Sequence, residues 1–280
     1  MENIVIIRYS EISLKGNNRI VFEKRLIDNI KDCLKKNKVK YEKIERLRGR
    51  IIIFAEQELN CLKYVFGISS FSPALKLEPE IKEIEKTVSK IIENKKFRSF
   101  RVSAQRLNKN FSLTSPEIER TIGSFMCEKF NKKVSLKNFD LEIGIEILDK
   151  AYVFTERVKG LNGLPVGVEG KVVSLIEDEN SLLASLLMMK RGCFVIPVSL
   201  KKTDIDLIKK FAYGFEPELI IIKSIEELDE VSKENNARAV VVGQTFETFK
   251  ELNIKAMVLR PLVGLDKKEI KQASVFYSAH

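Results

Sequence analysis

The sequence predicts an α/β protein throughout, with two small α/β units followed by a doubly wound parallel sheet. Three observations carry that expectation. Apolar runs of strand length alternate with helical stripes along all 280 residues. Gly160, Gly163, Pro165, Gly167 and Gly170 crowd one short stretch and mark a linker. Charge divides at the same place: residues 1–160 hold 33 Lys and Arg against 22 Asp and Glu, a net +11, and residues 161–280 hold 16 against 17, a net −1.

Taken in order, residues 3–8 read as a strand and 19–36 as a helix, whose stripe is Ile20, Phe22, Leu26, Ile27, Ile30 and Leu34. A second strand follows at 50–54, then a short helix at 59–65 closed by Gly67. Ser72-Pro73 breaks the pattern. A second unit spans a helix at 80–93, a strand at 100–104, and a helix from Ser115-Pro116-Glu117 to about Phe130. Ser115 is read as its cap, with Pro at the first helical position. Strands at 141–148 and 151–155 flank Asp149-Lys150, a hairpin turn. Beyond the linker, strands at 171–176, 193–198, 219–222 and 239–242 alternate with helices at 181–191, 205–211, 225–234 and 246–252. Near-continuous apolar strands in strict alternation imply a parallel sheet covered on both faces.

Composition narrows the class of function. The chain is 44% hydrophobic and 31% charged, enough for a sizeable core and for two or three domains. No run of some 18 apolar residues occurs, and the start lacks the basic and apolar regions of a signal peptide, so a cytoplasmic protein without membrane contact is expected. Cys33, Cys61, Cys127 and Cys193 lie far apart without a CxxC pair and read as buried free thiols, not as a metal site. The single histidine, His280, leaves no material for a histidine-based triad. A basic module joined to a neutral one points to an anionic partner, with nucleic acid favoured over a bilayer.

Four ordered stretches carry a more specific signal. They are Arg8-Tyr9-Ser10-Glu11-Ile12-Ser13-Leu14-Lys15-Gly16-Asn17-Asn18-Arg19; Arg101 to Arg106 with Lys109, Phe111, Ser115 and Glu117-Ile118; Lys190-Arg191-Gly192-Cys193 with Val195-Ile196-Pro197-Val198; and Leu259 to Lys267. Together they resemble the tRNA 4-thiouridine synthetase (tRNA sulfurtransferase) family over almost the whole chain. The resemblance implies an N-terminal ferredoxin-like domain (1–74), a THUMP RNA-binding domain (75–160) and a PP-loop pyrophosphatase-like domain (161–280). It also implies tRNA as partner, gripped at the acceptor arm and 3′ end, and a homodimer as a family-level expectation. Intact members use ATP with Mg²⁺ to adenylate a uridine, and a cysteine persulfide to supply sulfur.

For the RNA contacts, Arg101 and Arg106 bracket a strand end, Lys109 lies in the loop beyond, and Arg120 sits on the next helix. Each Lys or Arg that neutralises a phosphate releases counterions. Phe111 offers a ring for an unpaired base. Lys15, Arg48 and Arg50 are further candidates on the first domain. The alternative for each is a solvated charge or, for Phe111, a core side chain.

A PP-loop needs SGGxDS between strand and helix, so that backbone N–H groups cradle a phosphate. The matching stretch here, after Leu175, is Ile176-Glu177-Asp178-Glu179-Asn180-Ser181, with acids at both glycine positions and only Ser181 retained. A like-charge pair at 4 Å costs on the order of 4 kcal/mol at an effective dielectric of about 20. The resemblance extends the vestigial site to Ser199, Gly243 and Gln244. Asp178 or Asn180 also suits the cap of the following helix, and three neighbouring acids converge poorly on a metal ion. The region where the family's sulfur-carrying cysteine is expected has no counterpart here. The expectation is therefore a tRNA-binding relative with no cofactor and no chemistry of its own, or one complemented by a sulfur-transfer or adenylating partner protein.

Overall fold

The structure, a computed structural model, describes residues 2–47 and 49–279. Arg48, one of the expected RNA contacts, and His280 lie outside the described residues. The chain forms two compact units: Met1–Ile7, Lys40–Glu58 and Ser70–Val158 in the first, and Arg8–Val39, Leu59–Ser69 and Lys159–His280 in the second. The first 70 residues serve both. Their strands β1 (Glu2–Arg8), β2 (Lys43–Leu47) and β3 (Arg50–Phe54) enter the sheet of the first unit, and helix α1 (Arg19–Lys36) packs in the second.

The first unit continues with β4 (Ser70–Leu77), α2 (Ile81–Ile92), β5 (Ser99–Arg106), α3 (Ser115–Phe130), β6 (Lys133–Val134), β7 (Leu141–Ile147) and β8 (Ala151–Phe154). Its strands run in the order β2-β3-β1-β4-β8-β7-β5-β6, with the two-residue β9 (Val158–Lys159) beside β4. β1 pairs antiparallel with β3, Ile6 opposite Ile52, so alternate apolar residues of both strands reach one face. β7 and β8 form the expected hairpin, and β5 runs parallel to β7 with Phe100 opposite Leu141. The helices lie over this part of the sheet through Ile84 and Val88 of α2 and Ile118 and Ile122 of α3, all buried against Phe100, Ile143 and Ile145.

The second unit holds β10 (Lys171–Leu175), α4 (Glu179–Lys190), β11 (Phe194–Ser199), α5 (Asp206–Phe211), β12 (Ile220–Ile221), α6 (Glu227–Glu234), β13 (Val240–Val241), β14 (Val258–Leu259) and α7 (Lys267–Ala279). Its five strands are all parallel, in the order β12-β11-β10-β13-β14. Val172, Val195 and Val241 meet α4, α5 and α7 on one face; Val173, Val198 and Val240 meet Leu228 and Val231 of α6 on the other. The sheet is therefore doubly wound, as the sequence predicts. α1 is tied to this unit by Asn29 Nδ2 donating to the Val166 carbonyl at 3.1 Å and by Asp32 accepting from the Gly214 amide at 2.8 Å.

Several local expectations are corrected. The cap of α3 is Thr114, one residue earlier than Ser115: the Glu117 carboxylate accepts from both the amide and the hydroxyl of Thr114 at 2.7 Å, closing a capping box. The short helix expected at 59–65 forms over Asn60–Tyr64 and is of the tighter 3-10 kind. No helix forms at 246–252, and β14 and α7 lie beyond the last element expected from the sequence. Cys33 and Cys193 are buried free thiols, whereas Cys61 and Cys127 are half-buried. Among the described residues no helix is long and apolar enough to cross a membrane.

Candidate functional site

The described RNA-contact candidates separate by environment. Lys109 and Arg120 are exposed, on the loop after β5 and on the first turns of α3. Arg106, at the end of β5, is half-buried, and its guanidinium donates to the Phe111 carbonyl at 3.1 Å. Its amide donates to the Ser115 hydroxyl at 2.9 Å. Arg106 thus pins the 107–114 loop at its middle and at its far end. Phe111 is half-buried, with its ring packed against the core that also holds Ile118 and Ile122 of α3. Arg106 and Arg120 both hold the Glu117 carboxyl below its ordinary range, after the larger effect of the Thr114 hydrogen bonds. Two cations and the positive end of α3 therefore surround one exposed loop.

The capping box has a pH signature. Glu117 is lowered in the folded state, so its contribution is present above the ordinary carboxylate pKa and is lost as pH falls through the lowered value. Thr114→Ala should cost about 1 kcal/mol at neutral pH, checked by urea denaturation, and should reduce this acid-side loss without abolishing it, because the amide of residue 114 and the two arginines still act on Glu117.

Arg101 faces the side of the sheet away from the helices, with its guanidinium 5.7 Å from the Phe139 ring centroid. Its neighbours there include Ser103, Glu142, Glu146 and Arg157, so this surface is mixed in charge. Arg50 corrects the expectation. Its side chain is buried, with Nε donating to Glu146 at 2.6 Å, one terminal nitrogen to Gln105 at 2.7 Å and the other to the Gly49 carbonyl at 2.7 Å. Those donors are occupied inside the fold. Lys15 belongs to the second unit, where it pairs with Glu169 at 3.2 Å and lies over the Phe22 ring.

In the second unit the residues of the vestigial loop do converge. β10 is flanked by β11 on one side and β13 on the other, which makes the carboxyl end of β10 a topological switch point. Leu175 and Ile176 end that strand buried, and Ser199 at the end of β11 donates to the Ile176 carbonyl at 2.8 Å. Ser181 Oγ accepts from the amides of Glu177 and Asp178, each at 2.9 Å, and donates to the Asp178 carbonyl at 2.6 Å. Asp178 caps α4 by accepting from the Ser181 amide at 2.9 Å. Three amides that would face a phosphate thus have partners from the loop itself. Burial and the adjacent Asp178 raise the Glu177 carboxyl above its usual value. Gly243 packs directly on this turn: a Cβ there would lie 2.3 Å from the Ser181 nitrogen. Gln244 points elsewhere, accepting from Arg260 Nε at 2.8 Å.

The mixed sheet with its two helices in the first unit and the doubly wound parallel sheet in the second define a class: a multidomain α/β protein whose charge excess lies in residues 1–160. Comparison makes this specific. Residues 4–72 match the ThiI ferredoxin-like domain and residues 78–156 the THUMP domain. A probable tRNA sulfurtransferase of Thermococcus kodakarensis is 34% identical, covering 96% of this chain and 86% of that protein. One from Mycoplasmopsis synoviae is 33% identical over 99% of this chain and 84% of its own length. The crystal structure of PH1313 from Pyrococcus horikoshii superposes with a TM-score of 0.84 at 35% identity, covering 99% of both chains. A 4-thiouridine synthetase in complex with RNA and ATP superposes with a TM-score of 0.78 at 25% identity, covering 99% of this chain and 85% of that one. The chain belongs to the tRNA sulfurtransferase family. The alignment with the Thermococcus protein runs over 328 residues, more than the 280 of this chain, so the relative carries internal segments that this chain lacks.

Proposed function

We propose that this chain binds tRNA through its basic part and does not adenylate it. The observation that carries the second half is the Ser181 side chain seated among the amides of Glu177 and Asp178. A phosphate entering there must displace a hydroxyl with three hydrogen bonds and approach the carboxylates of Glu177 and Asp178 without the glycines that let backbone amides close around it. The first half is supported by the charge excess confined to residues 1–160, by the exposed Lys109 and Arg120, and by the RNA bound to the related 4-thiouridine synthetase. The reading divides the chain into modules 1–74, 75–160 and 161–280, with the acceptor arm and 3′ end of tRNA as ligand and the cytoplasm as setting.

The test is tRNA and ATP binding measured side by side on the pure protein. A salt-dependent tRNA affinity with neither ATP binding nor pyrophosphate release is expected; ATP-dependent pyrophosphate release would sink the non-catalytic part. Lys109→Gln with Arg120→Gln should weaken tRNA binding about tenfold and lower the slope of log K against log salt by between one and two. Family membership favours a second reading: participation in 4-thiouridine formation with a partner protein supplying adenylation or sulfur. Under that reading, deletion lowers 4-thiouridine in cellular tRNA while the isolated chain stays inert.

A further inference from the structure

The first unit carries a second basic feature at the other end of its helices. The last turns of α2 and α3 meet there around a cleft of about 550 Å³, lined by Lys90, Lys95, Lys129, Lys132, Phe130 and a single carboxylate, Glu93. Among the described residues, none of the four lysines forms an ion pair. Lys129 donates to the Ser89 hydroxyl at 3.2 Å and lies 5.1 Å from the Phe125 ring and 5.5 Å from Phe130. Lys132 lies 5.1 Å from the ring of Phe97. Aromatic faces hold these ammonium groups in place while leaving their N–H donors unneutralised.

Two helix carboxyl ends attract cations, which is the ordinary reason for lysine at such positions. Their demand is small: each end carries about half a negative charge. With Glu93 the local negative charge comes to about two, against four lysines. The surplus faces solvent.

We propose that this cleft is a second contact for the RNA phosphate backbone, separate from the 107–114 loop. The inference rests on the reading that the chain binds tRNA. The two contacts stand at opposite ends of α3, whose 16 residues span about 24 Å. One continuous RNA strand or stem laid along that helix reaches both, and two spaced sites fix its direction where one would leave it free to pivot.

The experiment uses the full chain and a tRNA transcript, with affinity followed between about 50 and 200 mM salt. Lys90, Lys95, Lys129 and Lys132 are replaced together by Gln in one variant and by Arg in another. The Gln variant should bind about tenfold more weakly, and the magnitude of its salt slope should fall by about three. The Arg variant should keep both, because charge and not lysine geometry is the requirement. A Gln variant that melts like the parent with an unchanged slope overturns the cleft. So does one that melts lower with an unchanged slope, since the lysines then serve only the helix ends. Loss of binding to anionic vesicles with tRNA affinity intact overturns it too, in favour of a membrane. If Lys109→Gln with Arg120→Gln lowers the slope and the cleft variant does not, only this inference fails. If the parent shows no salt-dependent tRNA binding, the underlying reading fails with it.

Discussion

Replacing Glu146 with alanine should destabilise the first unit by about 3–5 kcal/mol, a drop of about 10 °C or more in its melting temperature. Glu146 is 1% exposed and accepts from Arg50 at 2.6 Å, while Arg50 itself is 9% exposed at the side chain. Removing the carboxylate leaves a guanidinium inside the fold with only Gln105 and the Gly49 carbonyl to answer it. The stranded charge dominates the cost; the net worth of the intact pair is much smaller. A double replacement, Arg50→Met with Glu146→Leu, should therefore recover most of the loss. Calorimetry on the parent, the single and the double variant decides this. A single-variant loss below about 1 kcal/mol would mean that water reaches the pair. The double variant should also keep its tRNA affinity, since the Arg50 guanidinium is buried and turned to Glu146, Gln105 and the Gly49 carbonyl, away from any phosphate outside.

Arg50 shows where sequence reading ends. Its position beside Gly49 looks like a basic turn, and nothing local reveals that Glu146, ninety-six residues later, lies against it. Periodic elements were legible: α1, α2 and α3 fall within a residue or two of their apolar stripes, and the strand–helix alternation after the linker gives the doubly wound sheet. β2 was not legible, because Lys43-Ile44-Glu45-Arg46-Leu47 is half-exposed and charged. β4 was hidden by Pro73, which stands ahead of the β8 pairing that begins at Leu75, so its missing N–H removes no bond from that ladder. The helix expected at 246–252 fails for want of a partner. Phe246 and Phe249 are 80% and 53% exposed, so a short helix there would bury nothing to offset its nucleation. Thr245 and Thr248 close a turn instead. α7 could have been found: Asp266 and Glu269 cap each other's amides at 2.9 and 2.8 Å, three residues apart.

Gly243→Ala should cost the second unit about 2–4 kcal/mol. The glycine has no unusual backbone dihedral; what it supplies is space. An added Cβ meets the Ser181 nitrogen at 2.3 Å, the Ser181 Cα at 2.6 Å and the Asn180 carbonyl carbon at 2.7 Å, all backbone atoms that no rotamer change relieves. Either β13 or the first turn of α4 must move. Overpacking of this kind costs about 1–3 kcal/mol, and displacing Ser181 also weakens the Asp178 cap, worth about 1 kcal/mol more. Asp178→Ala alone should cost only the smaller part, and in combination with Gly243→Ala the losses should fall short of additivity, because both act on one turn. A Gly243→Ala variant as stable as the parent would show that the turn has room to spare. The distinction bears on function: a turn with room could admit a phosphate, whereas one closed by its own serine, its own aspartate and the backbone beneath Gly243 has no such space until α4 shifts.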